Sequence, residues 1–242
     1  MMTILLHVIA WTALAQATDE RTAHWHEDVQ ALYSAFSEGQ KDFGQVYPQF
    51  QADLQALKGD VPKLSDSEIV LRLMKTVASA NIGHNLVQTP MNMGFFDRLP
   101  LMFMWHSDGL AIIGASEEYR AASGSRVLKI GDKTPEQLVA ELAPYVSHET
   151  DSWLRQQAMA LLRCKAVLEH EGLLDADGRL TLTLQDPAGK IFTLPVKTAD
   201  PRAERIPMET ALHLPPTLAQ SHPQERFYWH EYLAGSSTLY IR

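Results

Sequence analysis

The spacing of apolar residues changes once along this chain, and that change limits the folds open to it. From Trp25 to Leu57 the residues Val29, Leu32, Tyr33 and Phe36, then Phe43, Val46, Phe50, Leu54 and Leu57, recur every three or four positions, the spacing of one stripe on an α-helix. Two helices fit, broken near Gly39 or Gly44. Ser65-Asp66-Ser67-Glu68 has the spacing in which a Ser hydroxyl and a Glu carboxylate reciprocally satisfy free amides at a helix start. A third helix therefore opens near Asp66 and carries Ile69, Val70, Leu73, Met74 and Val77 to about Ala80, where Asn81-Ile82-Gly83 ends it. After Asn85 the runs become short and β-prone, bounded by Pro, Asn and Gly. The chain must hold a helical first part and a sheet after it, an α+β class.

Within the second part, Leu86 to Pro90 and Leu99 to Trp105 read as β-prone. Ser107-Asp108-Gly109 lies between Leu101–Trp105 and Leu110–Ile113, which is turn chemistry between two apolar runs and predicts a hairpin. Arg126–Ile130 is a further strand turned by Gly131-Asp132. Thr134-Pro135-Glu136-Gln137 joins a capping residue to a proline at the first helical position, so a helix runs from there toward Leu142. A longer helix is predicted from Thr150 to Glu169. Leu180–Leu184 and Ile191–Val196 alternate strictly and form a hairpin. Residues Ala199 to Gln224 are rich in Pro and charge and read as a connection. Arg226–Leu233 and Thr238–Arg242 read as strand and strand, and a final apolar strand with nothing behind it presents an open edge, the expected entrance to another domain. The resulting division is a helical module over 18–84, a β domain with a helical insertion over 85–200, a linker over 201–225 and the start of a core domain over 226–242.

Residues Thr3 to Ala17 are apolar, too short for a membrane span, and finish in Ala15-Gln16-Ala17 before the polar Thr18-Asp19-Glu20-Arg21. This is the pattern of a leader for export to a periplasmic or extracellular space, cleaved after Ala17. The stretch before it lacks Lys and Arg and His7 interrupts it, so a buried N-terminal helix is the other reading. No later stretch reaches membrane-spanning length without charges.

The balance of 21 basic against 29 acidic residues, a formal charge of −8, has the wrong sign for a chain that grips phosphate backbones, so nucleic acid is not an expected partner. The single cysteine, Cys164, excludes an intrachain disulfide and reads as a buried packing thiol in a helix-like run from Ala158 to Leu168. No Gly-rich phosphate loop and no Gly-x-Ser-x-Gly elbow occurs, and no cofactor is expected.

Taken in order, these features resemble the N-terminal portion of the tail-specific, or C-terminal-processing, serine peptidase family, whose core is similar to interphotoreceptor retinoid-binding protein. The residues that carry the resemblance begin with Trp25-x-Glu27-Asp28, Ile82-Gly83-His84-Asn85 and Asp108-Gly109-Leu110. They continue with Gly124-Ser-Arg-Val-Leu-Lys-Ile-Gly131 and end in Tyr228-Trp229-His-Glu231-Tyr-Leu followed by Thr238-Leu-Tyr-Ile. The stretch around Val127–Gly131 is similar to a turn of PDZ-like domains. Asn85 is a departure, since similar proteins often have Thr after the His. The resemblance implies a helical domain, a PDZ-like domain enlarged by helices, and the start of a protease core. In that family a Ser nucleophile and a Lys general base perform acyl transfer; no position here matches either, so the chain as given is not expected to cleave peptides.

The resemblance also implies that Gly109, Leu110 and Ala111 capture the terminal carboxylate of a peptide or protein, which then adds as an extra strand. Glycine lets a ligand approach the backbone closely, although a plain hairpin turn accounts for the same residues. His24-x-His26 with Glu27 and Asp28 could be drawn as a metal cluster, but residues two apart on a helix face different ways, so a solvated helix start is expected and no metal. His84 is a candidate functional residue, or a structural one tying a helix end to the next strand through its ring nitrogens. A stand-alone exported interaction module with no protease role is the alternative function. A small hydrolase using His84 or the His24 and His26 pair is the third.

Overall fold

The computed structural model describes residues 3–39, 47–83, 85–87, 96–200, 228, 230–233, 235 and 237–241, except the side chains of 3–18, 231 and 233. Three helices come first: α1 (Thr3–Gly39), α2 (Pro48–Asp60) and α3 (Asp66–Ala78). The apolar stretch from Thr3 to Ala17 lies within α1. The break expected near Gly39 is where α1 ends, and Pro48 occupies the first position of α2, where its missing N–H leaves no bond unmade. The Ser65 capping box forms as read: the Glu68 amide donates to Ser65 Oγ at 3.3 Å and the Ser65 amide donates to Glu68 Oε2 at 2.8 Å. Hydrogen bonds from the Ser65 amide and hydroxyl hold the Glu68 carboxyl below its usual pKa, so the box is intact above the ordinary carboxylate value and weakens as pH falls through the lowered one.

The helices close around Val29, Phe50, Leu54, Leu57, Val61, Ile69, Leu73 and Val77, with the Phe36 and Phe50 rings 4.5 Å apart. Polar ties lock the package at its rim. Asp66 Oδ1 accepts from Arg21 Nε at 2.7 Å and from Trp25 Nε1 at 2.8 Å, and Arg72 donates to Asp60 at 2.6 Å. His26, one of the two histidines that could have been drawn as metal ligands, sits 2.9 Å from the Lys58 carbonyl instead, and His24 is exposed on α1.

Five antiparallel strands follow in sequential order: β1 (Leu101–His106), β2 (Gly109–Ala115), β3 (Arg126–Ile130), β4 (Arg179–Gln185) and β5 (Ile191–Lys197). Between β3 and β4 the chain makes a helical excursion through α4 (Pro135–Leu142), α5 (Asp151–Leu161) and α6 (Lys165–His170). Alternation decides which faces turn inward, because successive strand residues point to opposite sides: Leu101 and Phe103, Leu110 and Ile112, and Leu180, Leu182 and Leu184 are all buried. They meet Leu138, Leu142, Leu154, Ala158, Leu161, Val167 and Leu168 from the inserted helices. The predicted hairpins, the strand at Arg126 and the capped helix at Thr134 are all present, and the whole is α+β as expected. Residues 85–87 carry no strand, and 88–90 lie outside the described residues.

One prediction requires correction. The helix expected from Thr150 to Glu169 is two helices, broken at residues 162–164. Periodicity there continues, but Cys164 is extended and bridges Arg98, the Leu99 amide donates to the Arg163 carbonyl at 2.8 Å, and the Lys165 amide donates to the Asp97 carbonyl at 3.0 Å. Long-range backbone bonds take the place of the helical ones. Cys164 is buried as predicted, but in a strand-like link rather than a helix. Most of the predicted connection after Ala199 lies outside the described residues; Ala199 itself bridges Arg98 from the other side. Near the end, β6 (His230–Leu233) and β7 (Thr238–Ile241) pair as an antiparallel hairpin.

Helix α3 is the wall between the two cores. Its Ile69, Leu73 and Val77 belong to the helical cluster, and its Val70, Leu71 and Met74 to the sheet cluster. Truncating Ile69 or Leu71 to Ala is expected to destabilise the chain by about 2–5 kcal/mol each, and both variants should shift one shared unfolding transition in urea rather than separate ones. Burial raises the pKa of the Cys164 thiol; an aromatic disulfide reagent in mildly alkaline buffer should leave it unmodified in the native protein and label it fully once guanidinium unfolds the chain.

Candidate peptide-binding edge

The hairpin of β1 and β2 turns through Ser107 and Asp108, with His106 opposite Gly109. Gly109 has φ 135°, a conformation that L side chains rarely adopt, and a Cβ there would lie 3.0 Å from Arg126 Nε. Glycine is therefore required by the turn itself. Leu110 is fully buried and pairs with Trp105, while Ala111 stands between Met104 on β1 and Arg126 on β3. The three residues expected to take a peptide carboxylate thus open a strand with neighbours on both sides. Of the three, Ala111 is the residue bridged to β3.

Among the described residues the sheet has two unpaired edges, β5 and, one strand away from β2, β1. On the side opposite β2, no strand pairs with Leu101–His106 among the described residues. Helix α5 packs against β1 on the core side, with Leu154, Ala158 and Leu161 in the same cluster as Leu101 and Phe103. Arg155 of α5 lies 5.4 Å above the Trp105 ring, a cation–π contact. Buried Trp105 Nε1 has no hydrogen-bond acceptor among the described residues, and unsatisfied buried donors are uncommon in proteins. Met104 is 42% exposed on the outward face.

At the start of β1 that edge is closed. Leu99 gives its amide to the Arg163 carbonyl, and its own carbonyl accepts from Arg163 Nε and Nη2, both at 3.4 Å. Burial, and then the nearby charge of Arg98, lower the pKa of Arg163 to about 10, so it stays cationic at neutral pH. Asp97 and Glu169 both face Lys165, at 3.6 and 3.8 Å.

His84 lies outside the described residues. Its neighbour Gly83 is buried, and the turn around it is tied down by three bonds: the Gly83 amide to Glu149 Oε1 at 3.2 Å, Ser147 Oγ to the Ile82 carbonyl at 2.7 Å, and Trp153 Nε1 to the Ser147 carbonyl at 3.1 Å. Nothing in the sequence pattern pointed to Glu149, Ser147 or Trp153 in this role, since they are more than sixty residues away. Tyr145 donates to Glu171 at 2.6 Å beneath Lys75, whose ammonium is 4.4 Å from the Tyr145 ring. A separate cleft of about 440 Å³ between α1 and α3 is lined by Leu32, Phe36, Leu73, Val77, Leu86 and Val87, with Asp28 and Asn85 as its polar members. Its surroundings offer packing but no converging reactive groups.

No protein-family model matches the chain, and no curated protein does. Among solved structures it is similar to mature CPAF, with 18% identity and a TM-score of 0.48 over 74% of this chain and 34% of that one. The complex of mature CPAF with lactacystin gives 17% identity and a TM-score of 0.46 over 74% and 35%. A CPAF mutant gives 15% and 0.45 over 74% and 34%. The chain spans about a third of the length of the solved structures it matches.

Proposed function

We propose that this chain is the non-catalytic, peptide-recognising part of a tail-specific serine-peptidase-like protein, with a PDZ-like use of its sheet. The observation that carries the reading is the outer edge of β1, a row of backbone donors and acceptors with no strand beside it among the described residues and with α5 packed against the same strand. An unpaired edge is a template for another strand, and an extended peptide gains main-chain hydrogen bonds there while alternate side chains meet Met104 on one face and the α5 side on the other. The order of motifs in the sequence supports the peptidase-like context. The Ser and Lys of that chemistry have no counterpart at any motif read here, so recognition and positioning are what this part contributes. The edge has two ends, and a peptide carboxylate belongs at one of them: the turn with Gly109, Leu110 and Ala111, or the end at Leu99.

Hydrogen–deuterium exchange on the full chain tests the edge. On adding a peptide library, the outward amides of Leu101–His106 should gain protection, and replacing alternate peptide N–H groups by ester oxygens should weaken binding. Binding without added protection in β1 would refute the strand addition.

A further inference from the structure

We infer that the turn at Ile82–Gly83 is a joint through which the helical module positions α5, so that closure of this turn and peptide binding at the β1 edge favour one another. This concerns the regulation of the proposed edge and rests on that reading. The joint begins at the end of α3. Asn81 takes the left-handed conformation, φ 52°, and its amide donates to the Ala78 carbonyl at 2.9 Å, so the chain leaves the helix at once. A tight turn follows, in which the Asn85 amide donates to the Ile82 carbonyl at 2.7 Å.

Residues 147–153 receive that turn. Ser147 Oγ donates to the Ile82 carbonyl at 2.7 Å, and Glu149 Oε1 accepts from the Gly83 amide at 3.2 Å. Gly83 is buried, and a Cβ there would lie 3.5 Å from Trp153 Nε1, so the indole covers it. The same indole N–H donates to the Ser147 carbonyl at 3.1 Å, and the Trp153 amide donates to Thr150 Oγ1 at 3.2 Å. Thr150 is the N-cap of α5, and a capping side chain fixes where a helix starts. The turn after α3 and the first turn of α5 therefore share one set of hydrogen bonds.

Bonds rather than packing set α5 at this end. A crevice of about 40 Å³ lies between α3 and α5, with Met74, Tyr145, Trp153, Gln157 and Leu161 among its walls, and a gap of this kind forfeits the dispersion contacts that would otherwise register two helices. Past the other end of α5 the sheet domain supplies its own hold: the Leu99 amide donates to the Arg163 carbonyl, and the Lys165 amide to the Asp97 carbonyl. Two residues beyond Trp153, Arg155 lies over the Trp105 ring near the far end of β1, and Leu154 shares a cluster with Leu101 and Phe103. The wall of the proposed groove is thus held at the Leu99 end by the sheet domain and at the Trp105 end by the turn after α3. Linkage makes the effect reciprocal: what a bound peptide gains from α5 in this position, the turn gains from the peptide.

The test uses the full chain and a fluorescein-labelled decapeptide, the tightest binder to the native protein from a randomised array. Anisotropy gives its affinity for the native chain and for Trp153→Phe, Glu149→Ala, Glu149→Gln and Arg72→Gln variants with native melting curves, and NMR follows exchange of the Gly83 amide with and without peptide. Trp153→Phe keeps a ring but loses the Nε1 donor, and Glu149→Ala loses the acceptor for Gly83; each should weaken binding about fivefold or more, the lower range of coupling between sites. Glu149→Gln keeps an amide oxygen for Gly83 and should restore native affinity, and Arg72→Gln, at the rim of the helical package, should leave it unchanged. Peptide should slow Gly83 exchange in the native chain and fail to do so in Trp153→Phe. If Trp153→Phe does not fold, Glu149→Ala decides alone. Native affinity in either of those two variants, an equal loss in Arg72→Gln, or unchanged Gly83 exchange on adding peptide to the native chain would overturn the joint while leaving edge recognition intact. An array with no binder to the native chain would remove the proposed function and the joint together.

Discussion

Burial of α3 on both faces is the constraint on which the rest of the structure depends. A helix on a protein surface needs one apolar stripe, whereas α3 carries two, and each completes a different core. Neither the α1 and α2 pair nor the five-stranded sheet with its helices could dispense with it. Trp25 and Val87 pack against both clusters. The capping box at Ser65 and the Asp66 contacts to Arg21 and Trp25 fix where α3 starts and how it meets α1. Each such exposed contact adds little by itself, but position, rather than energy, is what it supplies.

The second organising element is the short stretch from Asp97 to Leu99. It draws residues 163–165 out of a helix on one side and receives Ala199, just past β5, on the other. Three distant parts of the chain are joined there by main-chain bonds, and two of them bring an arginine. The edge of β1 begins where this junction stops: beyond Leu99 the link to 163–165 ends, and the chain before it is helix α5, which packs against β1. A candidate binding groove and its closed end thus follow from the same local event, the breaking of one helix.

Charge on the described surface is only partly paired. Arg72 meets Asp60, Lys133 meets Glu141, and Arg179 meets Asp175 and Asp177, while Arg155 and Lys75 lie over the Trp105 and Tyr145 rings. In a chain of net charge −8, such exposed pairs fix position more than they add stability.

Sequence alone determined the local elements, and it did so where a local signal exists. Alternation in Leu180–Leu184 and Ile191–Val196 matches β4 and β5, Thr134-Pro135 matches the start of α4, and Gly109 is needed because its φ is one that a side chain would oppose. Tertiary structure decided what no short window contains. The run from Thr150 to Glu169 reads as one helix because its apolar spacing never falters, yet pairing with Arg98 breaks it. Gly109 reads as a turn glycine with a strand after it, and the sheet order then sets β1 on one side of that strand and β3 on the other. Which strands stand at the edges of the sheet, β1 and β5 among the described residues, depends on strand order and long-range pairing; those are set by burial of the whole chain and leave no mark in the spacing of neighbouring residues.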